Sequence, residues 1–241
     1  MNILGVKIDN TNLEEIIEKI SAWINGEKQN KLFTVNAEFI LEAQKNQEFK
    51  DVLNNSSLNT CDGSGPMWAG KFLHGQKLTR VTGVDLTAKL LESKIPSLKI
   101  YLLGGSDGVA QAVKNKYREA PIVGTESGGK LKANEWKLEN NDQVINNINN
   151  SGANLILVAF GQVRQEMWIE ENLPLMPGVK VAMGIGGTFD FLSGQIKRAP
   201  QWMRKLGLEW LFRLIKQPSR IKRIYNAVVV FGLMVLREKF R

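Results

Sequence analysis

Apolar positions recur along the chain with two spacings, and the helical one comes first. Leu13, Ile16, Ile17, Ile20, Trp23 and Ile24 fall on one face of a helix over 13–24, with Asn10 or Thr11 as its N-cap. An apolar run from Leu32 to Val35 then predicts a strand, and Phe39, Ile40, Ala43, Phe49 and Leu53 predict one helix over 38–53. Short hydrophobic runs follow around Leu58 and at 99–103, 122–124, 155–160 and 179–183, interleaved with helical patterns at 84–91, 109–117 and 142–148. Strands apolar on both faces that alternate with helices need cover on both sides, which predicts a Rossmann-like α/β sandwich around a parallel sheet.

Beyond Gly194 the pattern changes. It reads as helix from Pro200 to Gln217, breaks at Pro218 and resumes at Ser219. Ala227 to Leu236 is continuously apolar but ten residues long, about half of what a membrane-spanning helix requires. It can pack on the body or lie in an interface, but it cannot cross. The expected organisation is an α/β body over 1–194 and a helical appendage over 195–241.

Charge sharpens that division. The chain carries a net charge of +8, and residues 197–241 hold twelve Lys and Arg against Glu209 and Glu238, so the tail is +10 and the rest −2. A neutral body with a basic tail points to an anionic partner at one end: a membrane surface, a nucleic acid or a phosphorylated substrate. The 43% of hydrophobic residues in 241 suffices for a sizeable core without disulfides, and the lone Cys61 can form none internally. One histidine, His74, leaves too few soft ligands for a structural zinc site and argues against a His-based catalytic triad. The opening MNILGVKIDN has no charged stretch followed by an apolar run, so a cytoplasmic location is the expectation.

Ligands of open parallel sheets bind beyond the carboxyl ends of the strands. Those ends are polar and glycine-rich here: Thr34-Val35-Asn36-Ala37-Glu38, Thr60-Cys61-Asp62-Gly63-Ser64, Gly104-Gly105-Ser106-Asp107-Gly108, Gly161-Gln162-Val163-Arg164-Gln165 and Gly184-Ile185-Gly186-Gly187-Thr188-Phe189-Asp190. The turn at Gly104, Gly105 and Gly108 reads equally as a phosphate-binding helix start or as an ordinary turn capped by Ser106 or Asp107. Gly124 to Lys130 fits the start of a P-loop, yet Leu131 replaces its Mg²⁺-binding Ser or Thr, so the match reads as coincidence. No Asp-x-Asp pair occurs, so a metal-bridged diphosphate has no obvious ligands and no metal or other cofactor is expected. A protein with one histidine that needs a general base must use a carboxylate, and Asp62 before Gly63 is the candidate, although Asp-Gly is also a common turn. Cys61 reads as a small buried hydrophobe and His74 as a surface residue without a role. In the tail, Arg213, Lys216, Arg220 and Arg223 share a face if Pro218 only kinks the helix, near Trp202, Trp210 and Phe212.

Together these residues resemble the WecG/TagA/CpsF glycosyltransferases, family 26 of the sugar-transferring enzymes, over essentially the whole chain. The resemblance rests on Asn36-Ala37-Glu38, Asp62-Gly63-Ser64-Gly65, Arg80-Val81-Thr82-Gly83-Val84-Asp85, Tyr101-Leu102-Leu103-Gly104-Gly105, Gln165-Glu166-x-Trp168, Gly186-Gly187-Thr188-Phe189-Asp190, Lys197-Arg198-Ala199-Pro200, and Leu206-Gly207-Leu208-Glu209-Trp210 with Arg213. It is nearest to the TagA branch, and implies a GT-E fold and an inverting, metal-independent transfer. The implied step moves N-acetylmannosamine from its UDP donor to the 4-hydroxyl of undecaprenyl-diphosphate-linked N-acetylglucosamine, in wall teichoic acid linkage-unit synthesis at the inner face of the plasma membrane. Another UDP-sugar, such as the ManNAc uronate or glucose, is the alternative donor within the family. The resemblance assigns Asp62 as general base, Thr34, Asn36 and Gln165 to the donor sugar, Arg80 to the pocket, and Asp190 to the neighbourhood of the nucleotide. Gly104, Gly105, Gly161 and Gly186 join them as substrate-binding loops. Arg213, Arg220 and Arg223 match tail arginines that complete the site at an anionic membrane surface. The chain departs from the family pattern at Val35, Cys61 and Val163, where Pro is common, and at Arg164, which replaces Lys. Self-association into a homo-oligomer is left open.

Two rival readings fall short. A nicotinamide-dependent oxidoreductase needs a G-x-G-x-x-G after the first strand with an acidic residue about 20 positions on, and neither is present. A nucleic-acid binder would account for the basic tail but not for polar residues at five strand ends, so no nucleic-acid partner is expected.

Overall fold

The computed structural model describes residues 1–129 and 136–240. A two-stranded antiparallel ribbon, β1 (Asn2–Ile3) and β2 (Val6–Lys7), precedes α1 (Leu13–Ile24). The body continues with β3 (Asn30–Val35), α2 (Ala37–Ala43), α3 (Gln47–Asn54), β4 (Leu58–Cys61), α4 (Ser64–His74), α5 (Gly83–Leu91), β5 (Ile100–Gly104), α6 (Val109–Lys116) and β6 (Ile122–Glu126). It closes with α7 (Asn141–Ser151), β7 (Leu155–Ala159), α8 (Arg164–Asn172), β8 (Val181–Gly184) and α9 (Thr188–Ser193). Strands β3 to β8 form one parallel sheet in the order β4-β3-β8-β7-β5-β6. This is the expected α/β sandwich.

The strand residues show why both faces are covered. In β5, Ile100 and Leu102 join a core with α1, α5, α6 and α9, whereas Tyr101 and Leu103 face a second core with α2, α3, α7 and α8; β7 alternates in the same way. No position of β5, β7 or β8 is therefore charged or strongly polar, which is what the continuous runs in the sequence reflect.

Three boundaries differ from the sequence reading. The N-cap of α1 is Asn12, in a capping box with Glu15, because the Asn10 side chain is engaged by Thr79 N–H and Thr11 Oγ1 by Glu15. The helix expected over 38–53 is two, since Asn46 Oδ1 accepts from Phe49 N–H and starts α3 afresh. The tail helix expected over 200–217 is α10 (Gln201–Lys205) and α11 (Glu209–Lys216), parted at Gly207 by its φ of +73°. Pro218 opens a 3₁₀ turn, followed by α12 (Ile221–Tyr225), a π-helical turn over Asn226–Val230, and α13 (Phe231–Lys239). Two helices, α4 and α8, begin in stretches read only as polar strand ends and run on where no element is expected from the sequence. The P-loop match begins inside β6, where Gly124 lies against the Tyr101 ring; Lys130 and Leu131 lie outside the described residues.

The tail packs on the body through one face. Phe231 and Val235 are fully buried within the same core as Phe39 and Ala69, while Val228, Leu233 and Leu236 on the other side are exposed. No helix among the described residues is long and apolar enough to cross a membrane.

Candidate active site

Five loops bring their polar residues to one edge of the sheet. Asn36 follows β3 and caps α2, its Oδ1 accepting from the N–H groups of Glu38 (2.9 Å) and Phe39 (3.2 Å). Asp62 follows β4, its N–H donating to Val35 O at 2.8 Å, so parallel pairing sets the Thr34-to-Asn36 segment beside it. At the end of β5, Gly104 has a φ of +102°, and a Cβ there would lie 2.8 Å from the Ala159 carbonyl; only glycine lets β5 and β7 end this close. No side chain caps α6, so the Ser106 or Asp107 cap considered from the sequence is not formed. After β7, Val163 takes a φ of +72°, costly for a β-branched residue and closed to proline. Its N–H donates to Glu166 Oε2 at 2.7 Å, the contact that holds this turn.

These loops and the tail enclose a row of three connected cavities. The central one, about 320 Å³, is lined by Thr34, Asn36, Asp62, Gln165, Gly161, Gly186 and Asp190 on the body side and by Arg213, Lys216, Arg220 and Arg223 on the tail side. Such a volume lies at the lower end of the roughly 300–1,000 Å³ typical of small-molecule sites. Through Gly161, Gly186 and Asp190 it meets a second cavity bounded by Gly105, Ser106 and Arg164. Through Asp62, Glu209, Arg213 and Arg220 it meets a third, to which Arg80 belongs. The four basic tail residues thus converge although Pro218 does more than kink their helix. Gly104 lines none of the three cavities and acts through packing.

Charge is unevenly paired across this row. Arg198 grips Asp85 through two guanidinium nitrogens (2.5 and 2.9 Å) and lies 3.7 Å from Glu209, which in turn is 3.5 Å from Arg213. Burial works against the charged form of Asp85, but hydrogen bonds from Arg198 and Thr82 outweigh it and hold the carboxyl below its usual range. Arg223 pairs with Glu38 at 2.5 Å. Among the described residues Asp62 has no ion-pair partner. Burial pushes its carboxyl up to about 6; Arg213 pulls down, Glu209 adds to the rise, and Arg80 opposes it. Burial also raises Asp190. Glu166, wholly buried, is driven up to about 8 by desolvation against hydrogen bonds from Gln165 and Val163. Gln165 Nε2 donates to Glu166 at 2.5 Å and its Oε1 accepts from Gly186 N–H at 2.9 Å, tying the loops after β7 and β8 together. Cys61 is buried and its thiol pushed to about 12 by desolvation and by Asp62, the inert hydrophobe expected. His74 ends α4, exposed, with a ring nitrogen 2.6 Å from Asn2 O.

The profile of the glycosyl transferase WecG/TagA/CpsF family matches this chain over residues 1–241. The chain belongs to that family. It is a glycosyltransferase, an enzyme that takes a sugar donor and an acceptor.

Glu38, Asp85, Glu166, Arg198 and Glu209 stand in the motifs quoted from the sequence but are given no role there. Glu209 and Arg213 stand four apart, a spacing that pairs charges on a helix and was readable. The Asp85–Arg198 pair joins residues 113 positions apart and has no local signal. Among the described residues no group of three or more His, Cys, Asp or Glu side chains is arranged to hold a metal ion.

Proposed function

We propose that this glycosyltransferase moves N-acetylmannosamine, with inversion and without a metal, from UDP-ManNAc to the 4-hydroxyl of undecaprenyl-diphosphate-N-acetylglucosamine. The nucleotide takes the cavity at Gly105, Ser106 and Asp190, the donor sugar lies by Thr34, Asn36 and Gln165, and the acceptor approaches past Arg80. Asp62 removes the proton from the acceptor hydroxyl as its oxygen attacks the anomeric carbon; the bond to the UDP oxygen breaks on the opposite face, and UDP leaves with the electron pair. Arg213, Arg220 and Arg223 carry the charge of the diphosphates. One observation supports this above the rest: of the carboxylates shared by the central and third cavities, Glu38 and Glu209 are held by arginines, whereas Asp62 is unpaired among the described residues and has a proton affinity suited to a base near neutral pH. The basic, aromatic tail suits an acceptor embedded in an anionic leaflet, where each nearby Lys or Arg adds about 1 kcal/mol.

Incubation with a panel of UDP-sugars and a lipid-diphosphate-GlcNAc analogue, read by mass spectrometry, tests the reading. The expected product is one N-acetylhexosamine heavier, forms only with UDP-ManNAc and survives EDTA. Transfer from UDP-ManNAc uronate or UDP-glucose instead reassigns the donor, and loss with EDTA that Mg²⁺ restores removes the metal-independent chemistry.

A further inference from the structure

Next to the third cavity lies a fourth of different character. They share Ser64, Gly65, Trp210, Ala227 and Val228, and the outer one, about 470 Å³, opens between α4 and α13 past Trp68, Leu233 and Leu236. Its walls are apolar yet wet: Trp68 is 43% and Leu233 61% exposed. A contiguous apolar surface of this kind marks a place for a ligand or partner. Its inner end meets Arg80, Arg213 and Arg220 beside Asp62, so an occupant must be apolar at one end and anionic at the other.

Two backbone features keep the groove open. Gly232 sits within a continuous run of helix, where glycine is the poorest ordinary former, and a Cβ there would meet nothing within 4 Å. Packing does not require glycine at this place, whereas an unfilled groove does. The π-helical turn at Asn226–Val230 carries Ala227 and Val228, which line both cavities, and such turns recur at functional sites.

We propose that this groove seats the first isoprene units of a polyprenyl diphosphate, with the diphosphate on Arg80, Arg213 and Arg220. The assignment rests on the acceptor class given above and adds where its lipid runs. It makes the tail a wall of the acceptor site as well as a surface attachment.

The test uses the full chain and two GlcNAc-diphosphate acceptors, one with a long polyprenyl chain and one with a single isoprene unit. Gly232→Leu, which adds a helix-favouring side chain into open space, should leave the melting temperature undiminished, raise KM for the long acceptor at least about tenfold and change that for the short one less than about twofold. Trp68→Ala should raise KM for the long acceptor alone by about threefold. Glu238→Leu, an equal apolar addition elsewhere on α13, should alter neither. In parallel, a polyprenyl diphosphate with a photoreactive group on its first isoprene should label α4 or α13, and Gly232→Leu should abolish the labelling. If a well-folded Gly232→Leu protein treats both acceptors alike, or the probe labels other elements, the groove assignment falls while turnover of the GlcNAc acceptor keeps the proposed reaction. If the GlcNAc acceptor is never turned over but labelling of the groove depends on Gly232, the groove stands and the sugar chemistry falls.

Discussion

At the sheet edge, the groups lining the central cavity are short, mostly neutral and held from behind. Thr34 and Gln165 are buried, Asn36 is fixed by capping α2, and Gln165 is clamped between Glu166 and Gly186. Across the cavity the tail presents long cations whose ties to the body are ionic: Arg223 to Glu38, and Arg198 to Asp85. Preorganised neutral donors recognise shape at little cost in ordering, whereas an exposed ion pair such as Arg223–Glu38 contributes about 0–1 kcal/mol and weakens with salt. Under the proposed reaction, this contrast makes the donor side rigid and the acceptor side charge-held, so that one protein keeps a nucleotide sugar while it waits for a lipid.

The bluntest way to break this comparison is to delete residues 195–241. Turnover should vanish and the protein should no longer pellet with anionic vesicles. The body should stay folded with a lower Tm, because burial of Phe231 and Val235, each worth about 1.5–3 kcal/mol, is lost. Arg213→Glu or Arg220→Glu in the full chain should abolish turnover while vesicle binding persists, separating chemistry from attachment. Full activity of the truncated protein on a soluble acceptor would reduce the arginines to membrane anchors.

Asp62→Asn sharpens the comparison from the body side. It should lower kcat by about 10² to 10⁴ and leave UDP binding, measured by calorimetry, nearly unchanged. More than about a third of wild-type turnover would take Asp62 out of the mechanism.

A smaller effect tests whether the tail tunes the body. With Asp62 pushed up to about 6, kcat/KM should rise with pH through about 6 as the base ionises. Glu209, on the tail, adds to that rise by like-charge repulsion, so Glu209→Gln should move the acid limb downward by less than about one unit. A limb that stays in place would mean that the tail charge does not reach the base.

The smallest effect concerns stability alone. Glu166 binds its proton more tightly in the folded chain, at about 8 against an ordinary 4.5, so the unfolded chain holds fewer protons between those values and stability falls as pH rises through them. Glu166→Gln should match wild type in Tm near pH 4 and exceed it by a few degrees near pH 9 in a thermal scan. Equal pH dependence of the two proteins would place the titration elsewhere.

The sheet was legible because burial on both faces makes β5, β7 and β8 continuously apolar, and every strand expected in the sheet is found within a few residues. Helix boundaries were harder: Asn46 and Gly207 end periodic runs by capping and by positive φ, which apolar spacing does not register. The candidates of the body other than Gly104 line the cavities because strand ends share an edge. The ion pairs that connect body and tail were not legible, since Glu38 and Arg223 lie 185 positions apart and meet only once the tail has folded back.

Strand β8 is the last to leave the ribosome, yet it lies between β3 and β7. Until Val181–Gly184 arrives, the pair β3–β4 and the trio β5–β6–β7 have no strand-to-strand bond between them. Two nascent half-sheets must therefore wait, each with an open edge, for four residues that join them, and such long-range closure is slow and exposes edges that chaperones guard. The loop after β8 carries Gly186 and leads into α9 with Asp190, so the second cavity is assembled by the same event that completes the sheet.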